Sequence, residues 1–171
     1  MKKITGIKIL TSFLIVIWIL LTIWVLHLMG LTTAWPAFTV LNLLSLTGFD
    51  KQNIIKIFVS STVGIILGVI FVYSISMTTP LFGATLSVYI CLFIILMILL
   101  TVDVVFPMFL NTHTFIVFTY AMVNVTQFAV EWSKLLLTVY IGGGIALAGV
   151  MAIIKFIAKM TEKNTEKTLV S

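Results

Sequence analysis

Long apolar runs with almost no charge constrain this chain more than any other feature. Of its 171 residues, 61% are hydrophobic and 9% are charged, and the mean hydropathy is +1.28. Soluble domains carry about 25% charged residues, whereas a helix needs about 20 apolar residues to cross the hydrocarbon core of a bilayer. We therefore predict an all-α, polytopic membrane protein. The run from Ile9 to Met29 is too long for the core of a signal peptide and is predicted to be a retained first span.

The positions of the lysines predict the topology. Six apolar segments are expected to cross the membrane, at about 7–29, 33–47, 54–77, 81–102, 107–128 and 135–157. With a cytoplasmic N-terminus, nine of the ten Lys residues then lie inside and only Lys134 lies outside, which agrees with the positive-inside rule. With five spans, Lys51 and Lys56 would lie outside. We predict a bacterial inner-membrane protein with one six-span domain (1–160), a polar cytoplasmic tail (161–171) and both termini in the cytoplasm.

The two halves of the chain share an aromatic-Pro-x-Phe motif. Residues 35–38 read Trp-Pro-Ala-Phe near the start of the second segment, and residues 106–109 read Phe-Pro-Met-Phe near the start of the fifth. Each half has three spans, an odd number, so the halves would have opposite orientations. The prediction is an inverted-topology repeat, with repeat 1 at about 7–77 and repeat 2 at about 81–158. The alternative is that apolar segments built from few residue types look alike by composition.

Small residues four positions apart mark a second similarity between the halves. Gly64 and Gly68 in the third segment match Gly144 and Ala148 in the sixth. Such spacing lets helix backbones approach closely in a membrane. Gly64, Gly68 and Gly144 are therefore predicted to be helix-packing residues.

These motifs resemble those of a family of small single-domain bacterial inner-membrane proteins of unassigned function. The resemblance extends from Leu31 to about Ala152 and rests on the two aromatic-Pro-x-Phe motifs and the two glycine-containing helices. Where the family has a Gly-rich turn before its Lys, this chain has Gly-Phe-Asp-Lys at 48–51. The resemblance implies a membrane location and a similar architecture, and it implies no activity.

The second and fifth segments carry most of the polar residues, which are costly inside a bilayer. When the two proline motifs are aligned, Asn42 and His113 fall at equivalent positions. One interpretation is that these polar residues line a narrow solute pathway through the membrane, with an aromatic pair as a constriction at its outer end and another at its inner end. The alternative is that these polar residues only join helices by hydrogen bonds. The predicted pathway-lining residues are Asn42, Asn111, Thr112, His113 and Asn124, and the predicted constrictions are Trp35 with Phe38 (outer) and Phe106 with Phe109 (inner).

The missing residue types narrow the function further. No Asp, Glu, Lys or Arg falls at mid-membrane depth in the predicted spans, so ion-coupled transport has only His113 as a titratable group. Asp103 follows the fourth span, where it is either a solvated carboxylate or a charge that attracts cations to the inner mouth. The sequence contains none of the usual motifs for enzyme catalysis, phosphate binding or metal ligation. We predict no catalytic residue, no metal, no cofactor and no nucleic-acid partner.

Three functions remain open at this stage. The first is a channel or facilitator for passive transport of a small polar, uncharged solute of the size of urea, an amide, an amine or a weak acid. The second is a secondary transporter that uses His113. The third is a structural or accessory membrane subunit without transport activity. A homo-oligomer in the lipid bilayer is expected in each case.

Overall fold

A computed structural model describes residues 6–170, with the side chains of residues 6–50 and 52–161. The described chain is all-helical and contains no strand. Its helices are α1 (Gly6–Leu28), α2 (Trp35–Leu46), α3 (Lys51–Phe82), α4 (Ala84–Val102), α5 (Thr112–Val123), α6 (Val125–Val130), α7 (Trp132–Leu137) and α8 (Gly143–Val170). A π-helical stretch, Thr138–Gly142, joins α7 to α8 without a break.

Four helices are long and apolar enough to cross a membrane. They are Gly6–Leu28, Gln52–Phe82, Ala84–Val102 and the combined helix Trp132–Thr161. This finding supports a helical membrane protein. The backbone of α8 remains helical through most of the predicted polar tail, to Val170.

The remaining two predicted spans contain only short helices. Helices α2 and α5 each have 12 residues, a length of about 18 Å, which is less than the roughly 30 Å of a bilayer core. Pro36 lies in the first turn of α2, where its missing N–H costs no helical hydrogen bond. The predicted start of the fifth span at Pro107 is wrong. Pro107 lies in the turn before α5, and the helix starts at Thr112.

The predicted fifth span is also interrupted. Asn124 has φ −119° and ψ 44°, outside the helical region, and separates α5 from α6. Glu131 has a similarly non-helical ψ of 17° and separates α6 from α7. The chain between Thr112 and Trp132 is therefore a series of short helices rather than one span.

Helix α3 lies at the centre of the bundle and contacts α2, α4, α5, α6 and α7. Helices α1 and α2 both pack on α8. On α1, the Trp18 indole lies against Gly149 and donates its Nε1–H to the Ile145 carbonyl at 3.1 Å. The centre is filled by apolar side chains that are at most 1% exposed, including Val40, Leu44, Ile57, Ile65, Val117 and Phe118.

Helices α1 and α4 lie at the periphery. In their most apolar windows only 11% and 22% of residues are buried, compared with 39% for both α3 and the Trp132–Thr161 helix. Large apolar side chains cover their outer faces, for example Phe13 on α1 and Phe93 on α4. An apolar outer surface of this kind is suited to contact with lipid.

Candidate functional site

Close approaches at glycines bring α3 against α5 and α6. A Cβ at Gly64 would lie 2.7 Å from Val117 Cβ and 2.9 Å from the Thr114 carbonyl oxygen. A Cβ at Gly68 would lie 2.5 Å from the Phe128 ring. Real carbon atoms in contact are about 3.5–4.0 Å apart. Gly64 and Gly68 therefore occupy the helix-packing positions that the sequence predicted.

The contact of α2 with the π-helical stretch and the start of α8 uses different glycines from the predicted one. Gly144 has no atom within 4 Å of its Cβ position. Instead, a Cβ at Gly142 would lie 2.8 Å from Ala37 Cβ, and one at Gly143 would lie 3.2 Å from Val40 Cγ1. The packing position expected of Gly144 is corrected to Gly142 and Gly143, because successive helix residues point about 100° apart. The run of three glycines at 142–144 was the signal, but it did not indicate which one faces α2.

Asn111 is the N-cap of α5. Its Oδ1 accepts hydrogen bonds from the backbone N–H of His113 at 2.8 Å and of Thr114 at 3.3 Å. Its Nδ2 donates to Ser60 Oγ on α3 at 2.7 Å and to the Pro107 carbonyl at 3.0 Å. Asn111 thus fixes both where α5 starts and where it meets α3.

Two of the predicted pathway residues are not in the interior. Asn42 is exposed, because the buried face of α2 is formed by residues such as Val40, Leu43 and Leu44 and Asn42 lies on the opposite side. This corrects the expectation that Asn42 faces the interior of the protomer. Thr112 is also exposed, at the first position of α5.

His113 and Asn124 occupy the two ends of α5. His113 is half-buried, and its Nδ1 is a buried atom without a hydrogen-bond partner among the described residues. Asn124 is half-buried at the break after α5, where its Nδ2 donates to the Tyr120 carbonyl at 3.1 Å. Their role in lining a pathway stays a prediction.

Two serine hydroxyls on the long helices also lack partners. Ser61 Oγ on α3 and Ser87 Oγ on α4 are buried without a hydrogen-bond partner in the described part of the chain. The residues themselves are at most 1% exposed. Ser61 adjoins Ser60, the partner of Asn111, so α3 carries both a bonded and an unbonded buried hydroxyl next to the start of α5.

The two predicted aromatic constrictions differ in environment. Trp35 stacks on Tyr120 with ring centroids 4.6 Å apart, and its Nε1 donates to Gln127 Oε1 at 3.3 Å. Phe38 is half-buried on the same helix. Phe106 and Phe109 lie in the turn between α4 and α5 and are 53% and 48% exposed. Trp35 is therefore part of the helix packing, whereas Phe106 and Phe109 lie at the surface.

A contact between α3 and the π-helical stretch was not predicted from the sequence. The Tyr140 and Thr62 hydroxyls are 2.7 Å apart, and the Tyr140 ring stacks on Phe58 at 5.7 Å between centroids. π-Helical turns are frequent at functional sites. No local sequence pattern marks this turn.

Two of the cavities lined by described residues lie at the surface of the bundle. An apolar groove of about 510 Å³ between α1 and α8 is lined by residues that include Trp18, Gly149 and Phe156. A smaller cavity of about 230 Å³ lies where α4 ends and α5 starts. It is lined by Leu99, Leu100, Asp103, Asn111, Thr112 and Phe115.

The structure thus places Asn111, Thr112 and Asp103 around one cavity. Trp35 contacts the α5–α6 segment, and Asn42 lies apart from these residues on the exposed face of α2.

The resemblance to small bacterial inner-membrane proteins stays a prediction. No protein-family model, curated protein or solved structure matches this chain.

Proposed function

We propose that this protein is a bacterial inner-membrane facilitator for a small polar solute, with α2 and α5 at the centre of the pathway. The main support for the proposal is that each half of the chain contains one 12-residue helix, α2 in the first half and α5 in the second. Each of them lies in sequence between two long apolar helices. Unusually short or interrupted segments at matching positions in two halves are the strongest sequence-level indication of a transport site. In this proposal both termini lie in the cytoplasm.

The contacts support a repeat of three plus three elements. Helix α5 runs parallel to α3, because contacts advance along both helices together. Ser60 is hydrogen-bonded to Asn111. Gly64 lies against Val117, and Gly68 lies against Ala121. Helix α2 packs on the start of the last long helix in the same way, with Ala37 on Gly142 and Val40 on Gly143. Helix α1 packs on α8 as α4 packs on α3. Exchanging the halves therefore exchanges two pairs of contacts, α1–α8 with α4–α3 and α2–α8 with α5–α3.

The chain direction supports an inverted relation between these halves. A turn of four residues, 47–50, reverses the chain between α2 and α3. Because α2 is parallel to α8, the two long helices α3 and α8 run in opposite directions. When the two halves are aligned by these contacts, Trp35–Leu46 corresponds to Thr112–Val123. This alignment replaces the one made from the two proline motifs.

Unbonded polar atoms on the α3–α5 pair support a polar solute. His113 Nδ1 and Ser61 Oγ are buried without hydrogen-bond partners among the described residues. Leaving such a group unsatisfied costs about 1–3 kcal/mol. A small solute with donor and acceptor groups would satisfy these atoms during passage, without any charged residue at mid-membrane depth.

The test is stopped-flow swelling of proteoliposomes against urea, acetamide, methylamine and acetic acid. The parent protein is expected to accelerate swelling for at least one solute relative to empty liposomes. His113→Phe is expected to abolish that acceleration, because it removes the imidazole from α5. His27→Phe is the matched control, since His27 is exposed on α1, and it is expected to conduct like the parent. Circular dichroism checks that both variants remain helical.

The filled centre of the bundle favours a second candidate, an accessory subunit without transport activity. Val40, Leu44, Ile57 and Ile65 are each 0% exposed. The Asn111 side chain is hydrogen-bonded to Ser60, to the Pro107 carbonyl and to the His113 N–H. Under this alternative the polar residues only hold helices together. If the parent swells no faster than empty liposomes with any solute, the accessory role replaces the facilitator. If swelling requires a pH gradient, the protein is a secondary transporter that uses His113.

A further inference from the structure

The cavity between the end of α4 and the start of α5 combines one carboxylate with an apolar wall. Asp103 supplies the charge, Thr112 a hydroxyl, and Leu99, Leu100 and Phe115 the apolar surface. The volume of about 230 Å³ is below the 300–1,000 Å³ typical of sites for drug-sized ligands. The cavity therefore fits a ligand of a few non-hydrogen atoms.

The electrostatic surroundings of this cavity favour a cation. Asp103 is the C-cap residue of α4, and the C-terminal end of a helix carries a partial negative charge that adds to the carboxylate. The opposing partial positive charge of α5 is reduced, because Asn111 Oδ1 accepts the N–H groups of His113 and Thr114. Among the described side chains no lysine lies within ion-pair distance of Asp103.

The apolar wall selects the type of cation. The Phe115 ring lines the cavity, and the π face of an aromatic ring attracts ammonium groups. Leu99 and Leu100 offer apolar surface that an inorganic ion or a hydrated metal would not use. A ligand with a charged head and a short alkyl body matches all of these groups.

We propose that this cavity binds the ammonium form of a small alkylamine, with Asp103 at the charged head and Phe115 and Leu99 around the alkyl body. Simple amines are protonated at pH 7, as the lysine side chain is with its pKa of about 10.4. The inference rests on the proposed function and narrows its solute class to amines. These would be captured as ammonium ions at the end of α4 and would release a proton to water before passing as the neutral amine, whose nitrogen both donates and accepts hydrogen bonds.

The experiment is saturation-transfer NMR on the full chain in lipid nanodiscs, with propylammonium as the probe and 1-propanol as its uncharged counterpart. Empty nanodiscs correct for partition into lipid. Propylammonium is expected to bind more tightly than propanol. Asp103→Asn is expected to weaken propylammonium binding by up to about fivefold, as for loss of a partly exposed ion pair, and to leave propanol binding unchanged. Phe115→Leu is expected to weaken propylammonium binding about threefold.

Asp50→Asn is the matched control. Asp50 is a second carboxylate at a helix end, exposed beside Asn53 at the start of α3, and is not part of the cavity wall. The inference is overturned if propanol binds as tightly as propylammonium, if Asp50→Asn weakens binding as much as Asp103→Asn, or if the parent binds neither probe. Binding requires no flux, so loss of binding in Asp103→Asn supports the site even if proteoliposomes fail to swell. Swelling with methylamine that Asp103→Asn leaves unchanged supports the facilitator and overturns the site.

Discussion

The same substitution at two glycines should change stability in opposite directions. In Gly64→Ala the new methyl would lie 2.7 Å from Val117 Cβ and 2.9 Å from the Thr114 carbonyl oxygen, about 1 Å closer than a normal contact. Forcing one extra methyl into a packed interface costs about 1–3 kcal/mol. Replacing glycine within a helix returns about 1 kcal/mol through helix propensity. The expected net result is a loss of up to about 2 kcal/mol.

Gly144→Ala is the matched control, because no atom lies within 4 Å of its Cβ position. Its free energy of unfolding should rise by up to about 1 kcal/mol, because alanine has a higher helix propensity than glycine and the new methyl meets no other atom. The assay is reversible unfolding of the full chain in mixed micelles, followed by far-UV circular dichroism. If Gly64→Ala is as stable as Gly144→Ala, then α3 and α5 are not in close contact and the packing argument is refuted.

Three further predictions concern a cap, a contact and the topology. Asn111→Ala should lower the free energy of unfolding by about 1–2 kcal/mol through loss of the helix cap. Asn42→Ala, on the exposed face of α2, should change the free energy of unfolding by less than about 0.5 kcal/mol. Equal effects of the two substitutions would contradict the capping role. A double-mutant cycle with Thr62→Val and Tyr140→Phe should give a coupling of about 0.5–1.5 kcal/mol in the same unfolding assay, and independent effects would contradict the hydrogen bond. Reporter fusions at the C-terminus and in the Lys51 turn should both report the cytoplasm, and a periplasmic signal at Lys51 would exclude six spans.

Helix α1 and helix α4 could be predicted from the sequence alone. Their apolar runs are long, uninterrupted by charge and bounded by polar or glycine residues, and the structure has helices of 23 and 19 residues there. Composition was enough because a helix that meets lipid must be apolar on most of its surface. The same reasoning found Gly64 and Gly68, since small residues four apart favour close helix contact whichever helix is the partner.

The start of α5 shows where this reasoning stops. The segment offers two helix-start signals, Pro107 and Asn111, and both residue types are common at that position. The choice depends on Ser60, 51 positions away, whose hydroxyl accepts a hydrogen bond from the Asn111 amide. A local pattern contains no information about that contact.

Which face of each helix points inward was decided only by the tertiary structure. Nothing in the sequence separates Asn42 from a buried position on α2, or Gly144 from Gly142 on the last long helix. In a soluble protein the polar face of a helix marks its outside. In this chain lipid-facing and buried residues are equally apolar, so composition identified the helices and only their packing against one another determined their rotation.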